Sequence, residues 1–316
     1  MSSVTIAPAT AVEARPQPVR RCPRRRRADG AAYLLLSPWL IGMIALLLVP
    51  LLYSLYLSFT SYNLLTPPHW IGFANYRTMF SGDPRYLTSL RVTAEYVVAA
   101  VPLKLAMALG VALLLATPKR KGSGIYRALF YLPSLLGTSV AIALVWQGTF
   151  DVHGPFNAFL SLFGIPGQAW VADPGYVRWV IVLLAIWQFG GPMVIFLAGL
   201  KQIPRELYEA SAVDGASRLR RFRSVTLPML SPVILFNIVV EIIGSFQAFT
   251  PAQLVGDGNG GPVDSTLFYA LYLYQRAFQF QDMGYASAMA WVMLAGLGVI
   301  TGMIFLTARF WVHYGA

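Results

Sequence analysis

Long apolar segments alternate with short polar segments along almost the whole chain. Several apolar segments are at least about 20 residues long, the length that an α-helix needs to cross the hydrocarbon core of a bilayer. The pattern therefore predicts an all-α polytopic membrane protein, in which the polar segments form the loops between six transmembrane helices. We expect these helices at residues 31–59, 92–116, 128–150, 177–200, 229–250 and 285–306.

The distribution of cations predicts the orientation of these helices. Lys and Arg cluster at residues 119–127 and 201–223, whereas residues 151–176 contain neither. In membrane proteins the excess of cations lies in the cytoplasmic loops. The N- and C-termini are therefore predicted to be cytoplasmic, and residues 60–90, 151–176 and 251–284 are predicted to lie outside.

Composition excludes several other classes of protein. Of the 316 residues, 57% are hydrophobic and 12% are charged, with a mean hydropathy of +0.59, whereas a soluble domain carries about 25% charged residues. The net charge of +11 comes from the tail and the cytoplasmic loops, so no nucleic-acid partner is expected. The single Cys22 excludes an internal disulfide and a cysteine cluster. His69, His153 and His313 show no metal-ligand spacing, so no metal site is predicted.

The polar interruption at residues 201–228 is the longest in the second half of the chain. Pro204 suits the first turn of a helix, and Gly215 suits its end. A second helix is expected from Ala216 to Pro228. The predicted structure is a helix, a glycine turn and another helix outside the bilayer, with an exposed knob that a partner protein could bind.

The spacing of this segment resembles the EAA loop of ABC importer permeases. That loop has the form Glu-Ala-Ala, three residues, Gly, nine residues, Ile-x-Leu-Pro, and here Ser211 replaces the second Ala and Val225 the Ile. In that family the loop docks onto a separate ATPase subunit. The resemblance therefore implies that ATPase coupling involves Glu209, Ala210, Ser211, Asp214, Gly215, Ala216, Leu227 and Pro228.

The resemblance extends from about Tyr33 to Trp311. A Gly-x-x-Asn-Tyr segment occurs at residues 72–76, a Gly-Gly-Pro follows the fifth span at 260–262, and residues 272–288 complete the similarity. These segments are similar to the binding-protein-dependent carbohydrate permeases of the maltose-transporter type, in the half related to the first permease subunit. The fold that this implies is the MetI-like permease fold of type I ABC importers.

This resemblance implies a transport subunit that is not an enzyme. The expected cargo is a sugar of di- or oligosaccharide size, carried through a bacterial cytoplasmic (inner) membrane by alternating access. The expected partners are two ATPase subunits that hold ATP and Mg²⁺, a non-identical second permease subunit, and a lipid-anchored or periplasmic sugar-binding protein. The chain itself is expected to bind no cofactor. In agreement, it contains no Gly-x-x-x-x-Gly-Lys-Ser/Thr phosphate loop.

Three parts of the chain are expected. Residues 1–29 are rich in Pro, Ala, Ser and Arg without periodicity, which predicts a disordered basic tail. We interpret its arginines as a cytoplasmic anchor rather than as a site for anionic lipid or nucleic acid. Residues 30–90 are expected to form the first transmembrane helix and an outer loop. Residues 91–316 are expected to form the MetI-like core with its coupling loop at 201–228.

Polar residues within the spans are candidates for the substrate pathway. Lys104 lies near the middle of span two, where an ionisable group marks either a functional site or a pair with a carboxylate on another helix, and pairing is favoured. Sugar sites combine amides and acids with aromatic faces, although helix packing uses the same polar residue types. Residues 187–192 also predict a break in span four. The further candidates are Gln188, Phe189, Gly190, Met193, Glu241, Ser245, Gln247 and Phe249.

Two other functions remain open at this point. A glycerol-phosphate-like cargo should add cations to the pathway, and Lys104 is the only deep one, so a sugar is preferred. A stand-alone channel or secondary transporter is the second alternative, and it leaves the EAA spacing unexplained.

Overall fold

A computed structural model describes residues 26–116, 123–137 and 139–313. Residues 1–25 of the predicted disordered tail lie outside this description, and residues 26–29 are helical, contrary to the expectation. Two antiparallel strands of two residues each, β1 (Thr60–Ser61) and β2 (His69–Trp70), form the only sheet among the described residues. The helices are α1 (Arg26–Met43), α2 (Val49–Ser58), α3 (Ala74–Ser81), α4 (Pro84–Ala116), α5 (Ser123–Leu136), α6 (Val140–Thr149), α7 (Pro155–Ser161), α8 (Val177–Trp187), α9 (Gly190–Gln202), α10 (Arg205–Val213), α11 (Arg218–Arg221), α12 (Leu227–Phe246), α13 (Thr250–Val255), α14 (Tyr269–Tyr274) and α15 (Met283–Ala308).

Short irregular turns join or extend several helices. The π-helical turn Ile44–Leu48 connects α1 to α2, Phe222–Thr226 connects α11 to α12, and Gln275–Gln279 extends α14, while Pro262–Asp264 is a 3₁₀ turn. The second helix of the polar segment therefore begins at Arg218 rather than at the predicted Ala216, and it continues into span five without a break. The loop is thus attached directly to a transmembrane helix.

In the part of the chain that the structure describes, four helical stretches are long and apolar enough to cross a membrane: Tyr33–Ser58, Pro84–Ala116, Arg218–Val255 and Met283–Ala308. Two further pairs of helices pass the same test together, although each pair is bent by more than 40° at a short break. Counting each bent pair as one span gives the predicted six. The pairs are Gly124–Leu136 with Val140–Thr149, and Val177–Trp187 with Gly190–Gln202.

Several predicted boundaries differ from the structure for local reasons. Span two begins at Pro84, eight residues before the predicted start, because Asp83 accepts hydrogen bonds from the backbone N–H groups of Arg85 and Tyr86 and so caps the helix. Span three is two helices rather than one, because Gly137 has a φ of +52° and Ser139 caps a new helix. The predicted break in span four lies at residues 188–189, where expected.

The outer segment after span five also differs from its prediction. The helix of span five ends at Phe246, where Gln247 forms the C-cap, and a new short helix begins at Thr250 with a proline in its first turn. The next α-helix of this segment, α14, begins at Tyr269. These breaks leave exposed or partly exposed polar groups near the C-terminal end of α12.

The chain divides into two compact units, Met1–Leu52 and Tyr53–Ala316. In the first unit, none of the described side chains is buried, and most are apolar. A helix that is apolar all round and exposed all round is stable in lipid rather than in water.

The core of the second unit is built around α4, which packs against α8, α9 and α12. The contact face of α4 contains the fully buried Ala108 and Ala112, and small residues let membrane helices approach closely. Gly199 in α9 serves the same purpose against α12, because a Cβ atom there would lie 2.9 Å from Leu230 and Val233 side-chain carbons. The candidate site lies beside this helix cluster.

Candidate functional site

The polar segment forms a helical hairpin with a defined glycine turn. Helix α10 ends in a Schellman motif, in which Ala216 N–H donates to the Ser211 carbonyl and Gly215 N–H donates to the Ala212 carbonyl. Gly215 has a φ of +71°, a conformation that residues with a side chain rarely adopt. Ser217 then caps α11 by accepting a hydrogen bond from Arg220 N–H. The predicted helix, glycine turn and helix are present.

The two faces of α10 have different surroundings. Leu207, Ala210 and Val213 lie on one exposed face, and Val213 is 89% exposed. Tyr208 lies on the other face, and its hydroxyl is 3.0 Å from Thr226 Oγ1, which fixes the helix to the base of span five. Glu209 lies beside Tyr208 on a cavity that we call the loop cavity. We call this exposed apolar face the knob.

A second cavity, which we call the central cavity, lies between α4, α8 and α12 and has a volume of about 340 Å³. Lys104 and Glu241 meet in its wall, with Nζ 2.8 Å from Oε2. Their side chains are only 16% and 14% exposed. The favoured prediction for Lys104, pairing with a carboxylate on another helix, is therefore observed. Six of the nine pathway candidates line this cavity: Lys104, Gln188, Glu241, Ser245, Gln247 and Phe249.

The helix breaks position the polar side chains of the central cavity. Gln188 lies at the break between α8 and α9, and the Ser134 hydroxyl of α5 donates to its carbonyl at 2.9 Å. The same hydroxyl accepts from Gly191 N–H at 3.1 Å. One serine thus satisfies backbone groups that the break leaves without helical partners. Gln247 forms the C-cap of α12, so two amides lie at two helix ends beside the same cavity.

Three of the predicted pathway residues do not line the central cavity. Met193 is completely buried in the core, and Phe189 is buried against Phe130, with 5.9 Å between the ring centroids. A Cβ atom on Gly190 would lie 2.5 Å from the Phe130 carbonyl oxygen. The structure therefore places these three residues in helix packing, the alternative that the sequence left open.

Tyr96 and Ser134 are site residues that sequence reasoning missed. Tyr96 lines the central cavity from α4, and its ring packs on Phe268 at a centroid distance of 4.7 Å. It lies eight residues before Lys104, which places both on one helical face, so periodicity could have found it. No signal in the sequence identifies Ser134, because its role depends on a break in another helix.

A hydrogen-bonded network, which we call the outer network, surrounds Asp83 outside the spans. Tyr272, Tyr285 and Arg276 donate to Asp83 Oδ2 at 2.6, 2.7 and 2.8 Å. Burial raises the pKa of the Asp83 carboxyl, but these three hydrogen bonds outweigh burial and hold the pKa below its ordinary value. Burial and the hydrogen bond to Asp83 raise the pKa of Tyr272 to about 12. The network joins the segment before α4 to the segment before α15.

Comparison with known proteins gives the family of the chain. Residues 105–311 match the family described as binding-protein-dependent transport system inner membrane component. The chain belongs to this family. The permease is 50% identical over 290 residues to the probable ABC transporter permease protein YesP of Bacillus subtilis (strain 168), a match that covers 92% of this chain and 94% of that protein.

Two further relatives describe the fold and the class. The permease is 32% identical over 290 residues to the lactose transport system permease protein LacF of Rhizobium radiobacter, covering 90% of this chain and 96% of that protein. A solved bacterial alginate ABC transporter, in complex with an alginate pentasaccharide-bound periplasmic protein, has a TM-score of 0.76 and 21% identity over 92% of this chain and 98% of that chain. The predicted MetI-like ABC permease fold and the role as a transport subunit rather than an enzyme are confirmed.

Proposed function

We propose that the permease carries a di- or oligosaccharide inward through the central cavity. The observation that carries this proposal is the convergence of Gln188, Gln247 and Phe249 with the Lys104–Glu241 pair on one cavity. Amides and ions bind sugar hydroxyls, and an aromatic face packs on the C–H surface of a sugar ring. The names of LacF, a lactose permease, and of the alginate importer support a sugar as the cargo.

The ion pair argues against a phosphate-bearing cargo. Phosphate recognition uses cations that are available to its oxygens. Among the described residues that line the central cavity, Lys104 is the only cation, and Glu241 already neutralises it at 2.8 Å. A sugar without formal charge meets no such requirement. The ion pair therefore favours a sugar over a glycerol-phosphate-like solute.

The hairpin of α10 and α11 is proposed to couple this cavity to ATP hydrolysis on a partner chain. The exposed Leu207, Ala210 and Val213 supply an apolar knob, and α11 continues through a π-helical turn into α12. A force on the knob is thus transmitted to the helix that carries Glu241 and bounds the cavity. We assign the docking role to the eight coupling residues named from the sequence: Glu209, Ala210, Ser211, Asp214, Gly215, Ala216, Leu227 and Pro228.

The remaining assembly is proposed from the family. Two ATPase subunits hold ATP and Mg²⁺ below the membrane, and a second, non-identical permease subunit completes the pathway. A lipid-anchored or periplasmic binding protein delivers the sugar at the outer face of a bacterial cytoplasmic membrane. Both termini of this chain then lie in the cytoplasm, in agreement with its cation distribution.

The substitution Gln247→Ala tests the proposed cavity. We expect uptake of the sugar to fall, by about tenfold if one or two hydrogen bonds are lost, while the complex assembles normally. Uptake is measured in proteoliposomes that contain the whole importer, with ATPase co-purification as the assembly control. Phe236→Ala, at an exposed position of the same helix, is the matched control. Unchanged uptake in the Gln247 variant would remove this amide from the pathway.

The substitution Gly215→Glu tests the coupling assignment separately. A side chain at φ +71° costs about 1–2 kcal/mol in backbone conformation, and glutamate also enlarges the turn. We expect ATP hydrolysis to continue while sugar uptake is lost. Normal uptake by an assembled Gly215→Glu importer would refute the coupling role and leave the cavity assignment untouched.

A further inference from the structure

The loop cavity, defined above beside Glu209, is a strongly cationic space of about 920 Å³. Four cations line it: Lys201 at the end of α9, Arg205 at the start of α10, and Arg218 and Arg221 on α11. Among the described residues of the lining, Glu209 is the single acid. Three separate helices therefore place their cations around one space, and the lining carries a clear excess of positive charge.

Within the described part of the chain, these four cations form no ion pair. Arg221 Nε is buried and has no hydrogen-bond partner within the described part of the chain. A buried guanidinium nitrogen without a partner is costly, so an anionic acceptor in the cavity would stabilise it.

Part of the wall of the loop cavity is apolar. Leu113 near the end of α4, the buried Leu200 and Ile203, and Phe222 of the π-helical turn line it. A soluble anion would contact the cations but leave this wall exposed to water. An amphiphile covers both surfaces, because its head group contacts the cations and its acyl chain contacts the apolar wall.

We propose that the loop cavity binds the phosphate head group of an anionic phospholipid. Arginine presents a planar fork of N–H donors that matches phosphate oxygens, and Arg218 and Arg221 supply two such forks. Basic pockets beside transmembrane helices on the cytoplasmic side are where anionic lipid head groups bind. The assignment of this side rests on the proposed topology, and it does not depend on the cargo.

The lipid and an ATPase docked on the knob would contact different residues of α10, apart from Glu209, which belongs to both sets. Arg205, Tyr208 and Glu209 line the loop cavity, whereas Leu207 and Val213 lie on the exposed face. A head group held in the loop cavity therefore leaves the knob accessible. It also links α10 to α11 through shared contacts, which would stiffen the hairpin during coupling.

Lipid retention by the whole importer tests this proposal. The complex is reconstituted in nanodiscs of phosphatidylcholine containing one fifth phosphatidylglycerol and then extracted, and its bound lipids are counted by native mass spectrometry. We expect Arg221→Gln to retain phosphatidylglycerol about fivefold less, since a cation near an anionic head group contributes about that factor. Arg220→Gln is the matched control, because Arg220 is exposed and does not line the loop cavity. Arg221→Lys, which keeps the charge but lacks the fork, should fall between the two.

Four results would overturn the proposal. Equal retention by wild type and Arg221→Gln would exclude the site, and equal loss in Arg220→Gln would reduce it to general surface charge. Displacement of phosphatidylglycerol by millimolar inorganic phosphate would identify a soluble phosphate as the ligand. Loss of ATPase co-purification in Arg221→Gln, with retention unchanged, would identify the ATPase as the occupant. None of these readouts uses sugar transport, so they stand apart from tests of the proposed function.

Discussion

Breaking the Lys104–Glu241 pair should destabilise the importer more than removing both charges. The two groups approach to 2.8 Å between α4 and α12 and are 16% and 14% exposed. Removing one partner leaves the other charge uncompensated in a poorly solvated place. The informative variants are Lys104→Met, Glu241→Gln and the double variant, which keep the approximate shapes of the side chains.

The structure sets the expected size of the effect. Loss of one partner of a fully buried pair costs about 3–5 kcal/mol, and the remaining exposure of this pair reduces that to about 2–4 kcal/mol for either single variant. The double variant should lose less than the sum, with a coupling energy of about 2 kcal/mol, because it leaves no unpaired ion.

The assay is the thermal midpoint of the detergent-solubilised complex, followed by fluorescence-detected size-exclusion chromatography. Each single variant should lower the midpoint by about 4–16 °C, given about 2–4 °C per kcal/mol for a domain of this size. Glu95→Gln is the control on the same helix, because its pairs with Arg91 and Arg178 are more exposed, with the Glu95 side chain 38% accessible. Exposed pairs contribute at most about 1 kcal/mol, so this variant should shift the midpoint little.

Additivity would refute the reasoning. If the double variant loses as much as the two single variants together, the charges do not interact energetically despite their short distance. If the single variants are as stable as wild type, the central cavity is sufficiently hydrated to solvate an unpaired ion. Either result would also weaken the argument that Lys104 is unavailable to a phosphate-bearing cargo.

Two further predictions concern the contacts of Asp83 and Gly284. Asp83→Asn should reduce the free energy of unfolding by about 2–4 kcal/mol, because Asp83 is buried beside Arg276. The loss is measured as a lower thermal midpoint. The pKa of Asp83 in the folded protein lies below the ordinary 3.8. The ionised Asp83 therefore stabilises the fold fully above pH 3.8, and this stabilisation is lost as the pH falls through the lowered pKa. A pH series should show this loss in wild type and not in the variant. Gly284→Ala should destabilise the complex or reduce its yield, because a Cβ atom would lie 2.1 Å from the Thr60 carbonyl oxygen, whereas Gly298→Ala, with open space, should be tolerated.

Some details of the helical hairpin could be predicted from the sequence and others could not. Its glycine turn was predictable because the Schellman motif depends only on residues adjacent to Gly215 and on the freedom of glycine at positive φ. The predicted start of its second helix, Ala216, is two residues early. Ser217 is the N-cap, so the helix begins at Arg218. Which face of α10 is exposed could not be predicted, because it depends on the Tyr208–Thr226 contact with another helix.

The sequence predicted which types of residue line the central cavity, but not which individual residues line it. Polar residues at Lys104, Gln188 and Glu241 were identified because ionisable and amide groups are rare in apolar spans. Gly190 and Met193 were included with them, since proximity in sequence to Gln188 does not reveal which side of a broken helix a residue faces. Only the packing of α9 against α5 and α4 places them inside the core.

The sequence by itself determined the class of the protein, the approximate positions of its spans and the form of its EAA-like loop. Hydropathy, charge bias and motif spacing are properties of short windows, so they can be evaluated without knowing the fold. The tertiary structure decided the pairing of Lys104 with Glu241, which are 137 residues apart, and the meeting of Asp83 with Tyr272, which are 189 apart. Such contacts depend on how helices pack and where they break, and these are set by the shapes of many side chains acting together.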